Sequence, residues 1–258
     1  MRGHLPRKRF GQHFLIDDDI IRAIIAAIRP RPGDTLVEIG PGLEALTRPL
    51  LDCLPHLHVV EIDRDIIARL QRRYPPERLS VHAADALSFD FAALRVGSAL
   101  KICGNLPYNI STPLLFHLDT YREHIIEMTF MLQKEVVERM VAAPATPDRG
   151  RLSVMLQRSW EMEALLDVPP DAFDPPPRVE SAVVRMQPRA PDTRATLDDA
   201  RFARIVATAF SQRRKTLRNT LGELFSAADF ARAGIDPGLR AEALSVSDFE
   251  TLASLPAT

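Results

Sequence analysis

From residue 35 to about residue 143 the chain alternates short apolar runs with amphipathic stretches, and few folds accept that alternation. Runs at 35–40, 57–63, 79–85, 99–103 and 125–132 read as strands. Helical spacing follows them: a stretch ending near Leu51, then 65–73 with Ile66, Ile67 and Leu70 on one face, 112–121 and 134–143. Pro113 is tolerated because it falls at a helix start. Strands separated by helices cannot pair as hairpins. They pair in parallel, with the helices covering both faces of the sheet. Two later runs, 165–168 and 181–186, read as an antiparallel pair that closes the sheet at seven strands. Between them Phe173-Asp174-Pro175-Pro176-Pro177-Arg178 is too proline-rich for helix or central strand. Residues 187–193 read as a linker. Beyond them Phe202, Ile205, Val206, Ala209, Phe210, Leu217, Leu221 and Leu224 recur at helical spacing. The expected organisation is an α/β domain over residues 1–190 and a small all-helical domain over 191–258.

A net charge of −1 argues against a simple nucleic-acid coat protein, but the charge is unevenly spread. Arg2, Arg7, Lys8 and Arg9 crowd the start. Arg201, Arg204, Arg213, Arg214, Lys215 and Arg218 crowd a stretch with no acid between Arg201 and Asn219, while residues 38–90 lean acidic. Basic ends can grip a polyanion while an acidic middle holds something else; solvated faces explain such runs equally well. Cys53 and Cys103 have neither disulfide nor zinc spacing, which points to a reducing compartment. The basic start lacks an apolar segment after it, and no apolar run reaches membrane-spanning length. A cytoplasmic protein is expected.

Three strand ends carry polar residues suited to a nucleoside. Glu38-Ile39-Gly40-Pro41-Gly42 closes the first run with glycines that let a ligand approach the backbone. Glu61 ends the second, placed to take ribose hydroxyls on both carboxylate oxygens. Asp85 ends the third and can accept from an adenine amino group. A nicotinamide dinucleotide site remains open, since Ala45 stands where some fingerprints accept alanine for the third glycine. The fourth run delivers Asn105-Leu106-Pro107-Tyr108 to the same edge of the sheet. The Asn105 side-chain oxygen and the Leu106 carbonyl can accept both N–H bonds of an adenine N6, and Tyr108 can stack on the base. Taken alone, four such residues are more often a turn with a core tyrosine.

With these positions the chain resembles the small-subunit ribosomal RNA adenine dimethyltransferases of the KsgA/RsmA type. The resemblance runs in order through Arg7-Lys8-Arg9-Phe10-Gly11-Gln12-His13-Phe14-Leu15, the glycine loop, Asn105 to Pro113, Lys134-Glu135-Val136-Val137, Gly150-Arg151-Leu152-Ser153-Val154-Met155, Phe173 to Ser181, and Phe210 to Asn219. It implies a Rossmann-like class I methyltransferase domain with S-adenosylmethionine as cofactor, held by His13, Leu15, Gly40, Glu61, Asp85 and Asn105. It implies N6,N6-dimethylation of two adjacent adenosines in a hairpin loop near the 3′ end of 16S rRNA. Tyr108 would stack on one face of the base and Phe173 on the other. Arg7, Lys8, Arg9, Arg213, Arg214, Lys215 and Arg218 would meet RNA phosphates, and the protein would act as a monomer. Glu44 departs from the pattern, which usually has glycine or alanine there. Two rivals stand beside this reading: a large-subunit rRNA adenine N6-methyltransferase, and a non-catalytic ribosome-assembly factor on the same fold.

Overall fold

The computed structural model describes residues 13–95, 99–190 and 197–256. They fall into two units, one taking the chain up to Val137 together with Met162–Pro188, the other Glu138–Glu161 and the chain from Arg189 onward.

The first unit opens with a two-residue strand, β1 (Phe14–Leu15), and helix α1 (Asp18–Ile28). Asp17 caps α1 by accepting from the backbone N–H groups of Asp19 and Ile20, and Ile24 and Ile28 face inward. Then follow β2 (Thr35–Ile39), α2 (Thr47–Cys53), β3 (Leu57–Glu61), α3 (Arg64–Arg73), β4 (Leu79–Ala83), β5 (Leu100–Asn105), α4 (Ser111–Asp119) and β6 (Ile125–Gln133). Helix α3 starts on an Asp63 cap, buries Ile66, Ile67 and Leu70, and ends on Arg72 and Arg73, whose charges suit a helix C-terminus. Helix α5 (Lys134–Val141) leaves this unit partway along its length, and α6 (Arg151–Ser159) lies in the second unit. Strand β7 (Trp160–Val168) returns to the first unit, followed by β8 (Phe173–Asp174) and β9 (Ser181–Pro188).

Seven strands form one sheet in the order β4-β3-β2-β5-β6-β9-β7. The pairs β2–β3, β3–β4, β2–β5 and β5–β6 are parallel, and β6–β9 is antiparallel. From β2 the chain works outward through β3 to β4, then comes back to the other flank of β2 as β5. The crevice at the carboxyl ends of β2 and β5 is therefore a topological switch point, where doubly wound sheets bind ligands. Beside the sheet β1 and β8 form a separate antiparallel ribbon, pairing Leu15 with Phe173 and Phe14 with Asp174. Ile24, Leu36, Leu50, Leu57, Val59 and Leu70 are among the buried residues of this unit's core.

The second unit is helical and adds α7 (Asp199–Ala209), α8 (Leu217–Thr220), α9 (Ala227–Ala233) and α10 (Val246–Ser254). Helices α9 and α10 begin on reciprocal caps: Ser226 and Asp229 exchange hydrogen bonds at one, Ser245 and Asp248 at the other. Phe202, Val206, Leu217, Leu221 and Phe249 fill its core together with Val154 of α6.

That last contact moves the expected boundary. The helical unit does not begin at residue 191 but also takes Glu138–Glu161. Arg149 supplies part of the reason: it is 3% exposed and donates to the carbonyls of Leu244 and Ala142 and to the Gln157 amide oxygen. The expected linker is shorter too, because Gln187 and Pro188 finish β9.

Candidate active site

The carboxyl ends of β2, β3, β4 and β5 surround a cavity of about 310 Å³, within the size range of small-ligand sites. The sequence that builds its floor is Gly40-Pro41-Gly42. Gly40 has φ +68° and Gly42 φ +53°, in the left-handed region open to glycine. A Cβ on Gly42 would only touch the Phe14 ring at 3.4 Å, so it is the left-handed φ and not crowding that favours glycine there.

Every residue expected to hold the cofactor lines this cavity: His13, Leu15, Gly40, Glu61, Asp85 and Asn105. Glu61 is 8% exposed, and its Oε1 accepts from the backbone N–H groups of Ile62 and Asp63 at 2.7 Å each. The carboxylate is thereby fixed at the mouth of α3. Asp85 is exposed, and its Oδ1 accepts from the Leu87 N–H at 2.9 Å. Carboxylates at the ends of two adjacent strands, an apolar wall including Ile62 and Ile66, and a bare glycine loop form a donor set that fits the adenosine half of S-adenosylmethionine.

The residues expected to handle the base converge on the same cavity, with one exception. Asn105, Leu106, Pro107 and Tyr108 all line it. The Asn105 Nδ2 donates to the His13 carbonyl at 3.2 Å, so the other end of the amide, Oδ1, is the acceptor it offers. The Leu106 N–H donates to the Met131 carbonyl at 3.1 Å, which ties the motif to β6. The Tyr108 hydroxyl is bonded to the Ser181 hydroxyl at 2.7 Å, and the His13 ring stacks beside the Tyr108 ring with centroids 5.9 Å apart. His13 is itself anchored: its Nδ1 lies 2.7 Å from the Pro175 carbonyl and donates to it.

Phe173 is the correction. It was expected on the second face of the base, but it is 3% exposed, belongs to the core of the first unit and does not line the cavity. Pairing of β8 with β1 sets Phe173 opposite Leu15, and both side chains are buried in that core. The proline-rich loop announced a turn, and nothing in it announced the ribbon.

Two residues at the site carry weight the sequence reading had not assigned. Glu38 lines the cavity at 1% exposure and accepts from the Thr47 hydroxyl at 2.7 Å. Burial pushes its carboxyl up to about 8, helped by the nearby carboxylates of Glu61 and Glu44 and opposed by the Thr47 hydrogen bond. Ser181 fixes the tyrosine hydroxyl from β9; in sequence it is one more small residue at a strand start. Burial likewise raises the Tyr108 hydroxyl above its ordinary value, with the Ser181 bond acting against the rise.

Of the expected phosphate-binding residues, Arg7, Lys8 and Arg9 lie outside the described residues. Arg213, Arg214 and Lys215 are exposed on the turn between α7 and α8, and Arg218 is exposed on α8. The turn is pinned within its own unit, where Arg213 donates to the Pro147 carbonyl. Among the described residues no group of three or more His, Cys, Asp or Glu side chains is arranged to hold a metal ion.

The model of the ribosomal RNA adenine dimethylase family matches residues 3–257. A protein of Thiobacillus denitrificans called ribosomal RNA small subunit methyltransferase A is 67% identical over 255 residues, covering 99% of each chain. Among solved structures, a dimethyladenosine transferase from Plasmodium falciparum superposes with a TM-score of 0.80 at 24% identity, covering 93% of this chain and 96% of the other. The 23S rRNA methyltransferase ErmE superposes with a TM-score of 0.71 at 23% identity, over 93% and 97% of the two chains. A dimethyladenosine transferase and a 23S rRNA methyltransferase both share this fold, so the fold alone does not choose between the expected types of enzyme.

Proposed function

The chain belongs to the ribosomal RNA adenine dimethylase family, and from that premise we propose how its cavity does the work. The protein is an S-adenosylmethionine-dependent rRNA adenine N6-methyltransferase that modifies two adjacent adenosines of 16S rRNA during small-subunit biogenesis. The observation that carries the site reading is the meeting of Asn105 to Tyr108 with the glycine loop, Glu61 and Asp85 in one cavity.

His13, Leu15, Gly40, Glu61, Asp85 and Asn105 hold the cofactor, with Glu61 on the ribose hydroxyls and Asp85 on the adenine amino group. The bound cofactor supplies a methyl group already activated by its sulfonium, so the protein's task is alignment. The target N6 is a weak nucleophile because its lone pair is conjugated into the ring. Asn105 Oδ1 and the Leu106 carbonyl accept its two hydrogens and favour a pyramidal nitrogen. Held this way, the nitrogen's lone pair would be aimed at the methyl group that S-adenosylmethionine, held by His13, Leu15, Gly40, Glu61, Asp85 and Asn105, would supply, and the surplus proton would pass to water. Tyr108 stacks on the extruded base, worth about 1–3 kcal/mol. That offsets an unstacking cost of roughly a few kcal/mol. The bond from Ser181 holds the ring at a fixed angle for that contact.

The exposed Arg213, Arg214, Lys215 and Arg218, with Arg7, Lys8 and Arg9, bind phosphates of the surrounding rRNA. The protein works as a monomer in the cytoplasm; among its described residues no helix is long and apolar enough to cross a membrane.

The test is methyl transfer from labelled S-adenosylmethionine to small ribosomal subunits lacking the modification, followed by nucleoside analysis. N6,N6-dimethyladenosine at two adjacent positions near the 3′ end of 16S rRNA is expected. Transfer to 23S rRNA alone would move the protein to the large-subunit class. Cofactor binding without transfer to either RNA would leave an assembly factor.

A further inference from the structure

Glu44 has φ +74°, in the left-handed region that residues with side chains rarely enter, and is 1% exposed. A residue stays in such a conformation only where its surroundings over-determine it. Here they do. Its Oε1 accepts from Arg69 Nε at 2.8 Å, and its Oε2 accepts from Arg73 Nη1 and from the Tyr74 hydroxyl, each at 2.9 Å. The Arg73 guanidinium also lies over the Tyr74 ring, 5.6 Å from its centroid. Burial, reinforced by the bond to Glu44, pushes the Tyr74 hydroxyl up to about 12, so it remains a donor across the working pH range. Two guanidiniums and a phenol, from the second half of α3 and its C-cap, thus close on one carboxylate of the glycine loop.

Glu44 does not itself line the cavity, but Gly40, Gly42, Leu43 and Ala45 do. The helix it grips starts beside the other half of the site, because Asp63 caps α3 and also donates its N–H to Glu61. With left-handed residues at 40, 42 and 44, the loop is held in a conformation that the backbone does not favour unaided. A loop ordered only on binding charges its ordering to the ligand's affinity, whereas one ordered beforehand does not.

We propose that Glu44, gripped by Arg69, Arg73 and Tyr74, is a positioning residue that sets the affinity for S-adenosylmethionine by fixing the glycine loop against α3. It does so without touching the cofactor. The proposal rests on the cavity being the cofactor site, as argued above.

The informative variant is Glu44→Gly, because glycine suits the φ and so keeps the fold while the grip is lost. Calorimetric titration should show the dissociation constant for S-adenosylmethionine rising about tenfold. The kcat at saturating cofactor and the KM for the RNA substrate should not change. Arg69→Ala with Arg73→Ala should give a similar loss, and adding Glu44→Gly to that pair should add little, the mark of one shared interaction. Glu44→Gln keeps an acceptor without the charge and should fall between. Glu61→Ala is the control for the site itself. An unchanged affinity in Glu44→Gly while Glu61→Ala binds weakly would overturn the grip and leave the site standing. Unchanged affinity in both would overturn the site reading as well. Equal losses in cofactor affinity, kcat and RNA affinity for Glu44→Gly would mean general damage, and would also overturn the proposal.

Discussion

At the scale of single residues, the site separates groups that touch the reacting atoms from groups that hold them still. The proposed mechanism puts Asn105 in the first kind. Asn105→Ala should lower kcat by at least about a hundredfold, the scale for losing one preorganised polar group, with RNA affinity in a filter-binding assay largely unchanged. Near-normal turnover would remove Asn105 from the chemistry. Glu38 belongs to the second kind and carries a pH signature. Its carboxyl lies at about 8 in the folded chain against 4.5 for an ordinary glutamate. Between those values the folded chain binds more protons than the unfolded one, so Glu38 makes stability fall as pH rises through that window. Glu38→Gln keeps an acceptor for the Thr47 hydroxyl and abolishes the titration. Its melting temperature relative to the parent should therefore climb between about pH 5 and about pH 8.5. A constant offset across that range would mean that Glu38 ionises normally.

At the scale of elements, two strands meet without room for a side chain where the site is made. Gly104 on β5 lies against Ile39 on β2, and a Cβ there would collide with the Ile39 carbonyl oxygen. Gly104→Ala should push the two strands apart and cost about 1–3 kcal/mol of stability. Ile39 and Asn105 both line the cavity, so cofactor affinity should fall with it; unfolding in denaturant and titration on the surviving folded protein measure the two effects. The strands of this sheet were legible in the sequence where they are short apolar runs between turn residues, β7 only at its far end, and Gly40, Glu61, Asp85 and Asn105 stood out as cavity candidates because they end or follow those runs. Helix α1 was not picked out, although Asp17 and the isoleucines at 20, 21, 24, 25 and 28 carry a capped helical pattern. Helix α6 was legible only as a block of the family resemblance, Gly150 to Met155, and not as a helix, and periodicity would in any case give its apolar face and not the core it joins. The β1–β8 ribbon, and with it the burial of Phe173, was illegible for a different reason. Two-residue strands have no period, and their partners are far apart in sequence.

At the scale of the whole molecule, the cavity lies in the first unit and the basic turn at residues 213–215 in the second. Arg214→Ala with Lys215→Ala should weaken RNA binding and reduce the slope of log affinity against log salt by roughly 1.5, while cofactor affinity stays as it was. An unchanged slope would make the turn a solvated surface. The cavity, for its part, takes residues from 13–15, from the ends of four strands and from 105–110. Its β1 wall is tied by backbone pairing to Phe173 and Asp174, and His13 reaches the Pro175 carbonyl across 162 positions of sequence. A chain emerging from the ribosome therefore has no complete pocket when its glycine loop appears, nor when Asn105 follows. The wall has its anchor only once residue 175 is out, and the Tyr108 hydroxyl its partner only once Ser181 follows, so the pocket's last supports are made well after its lining.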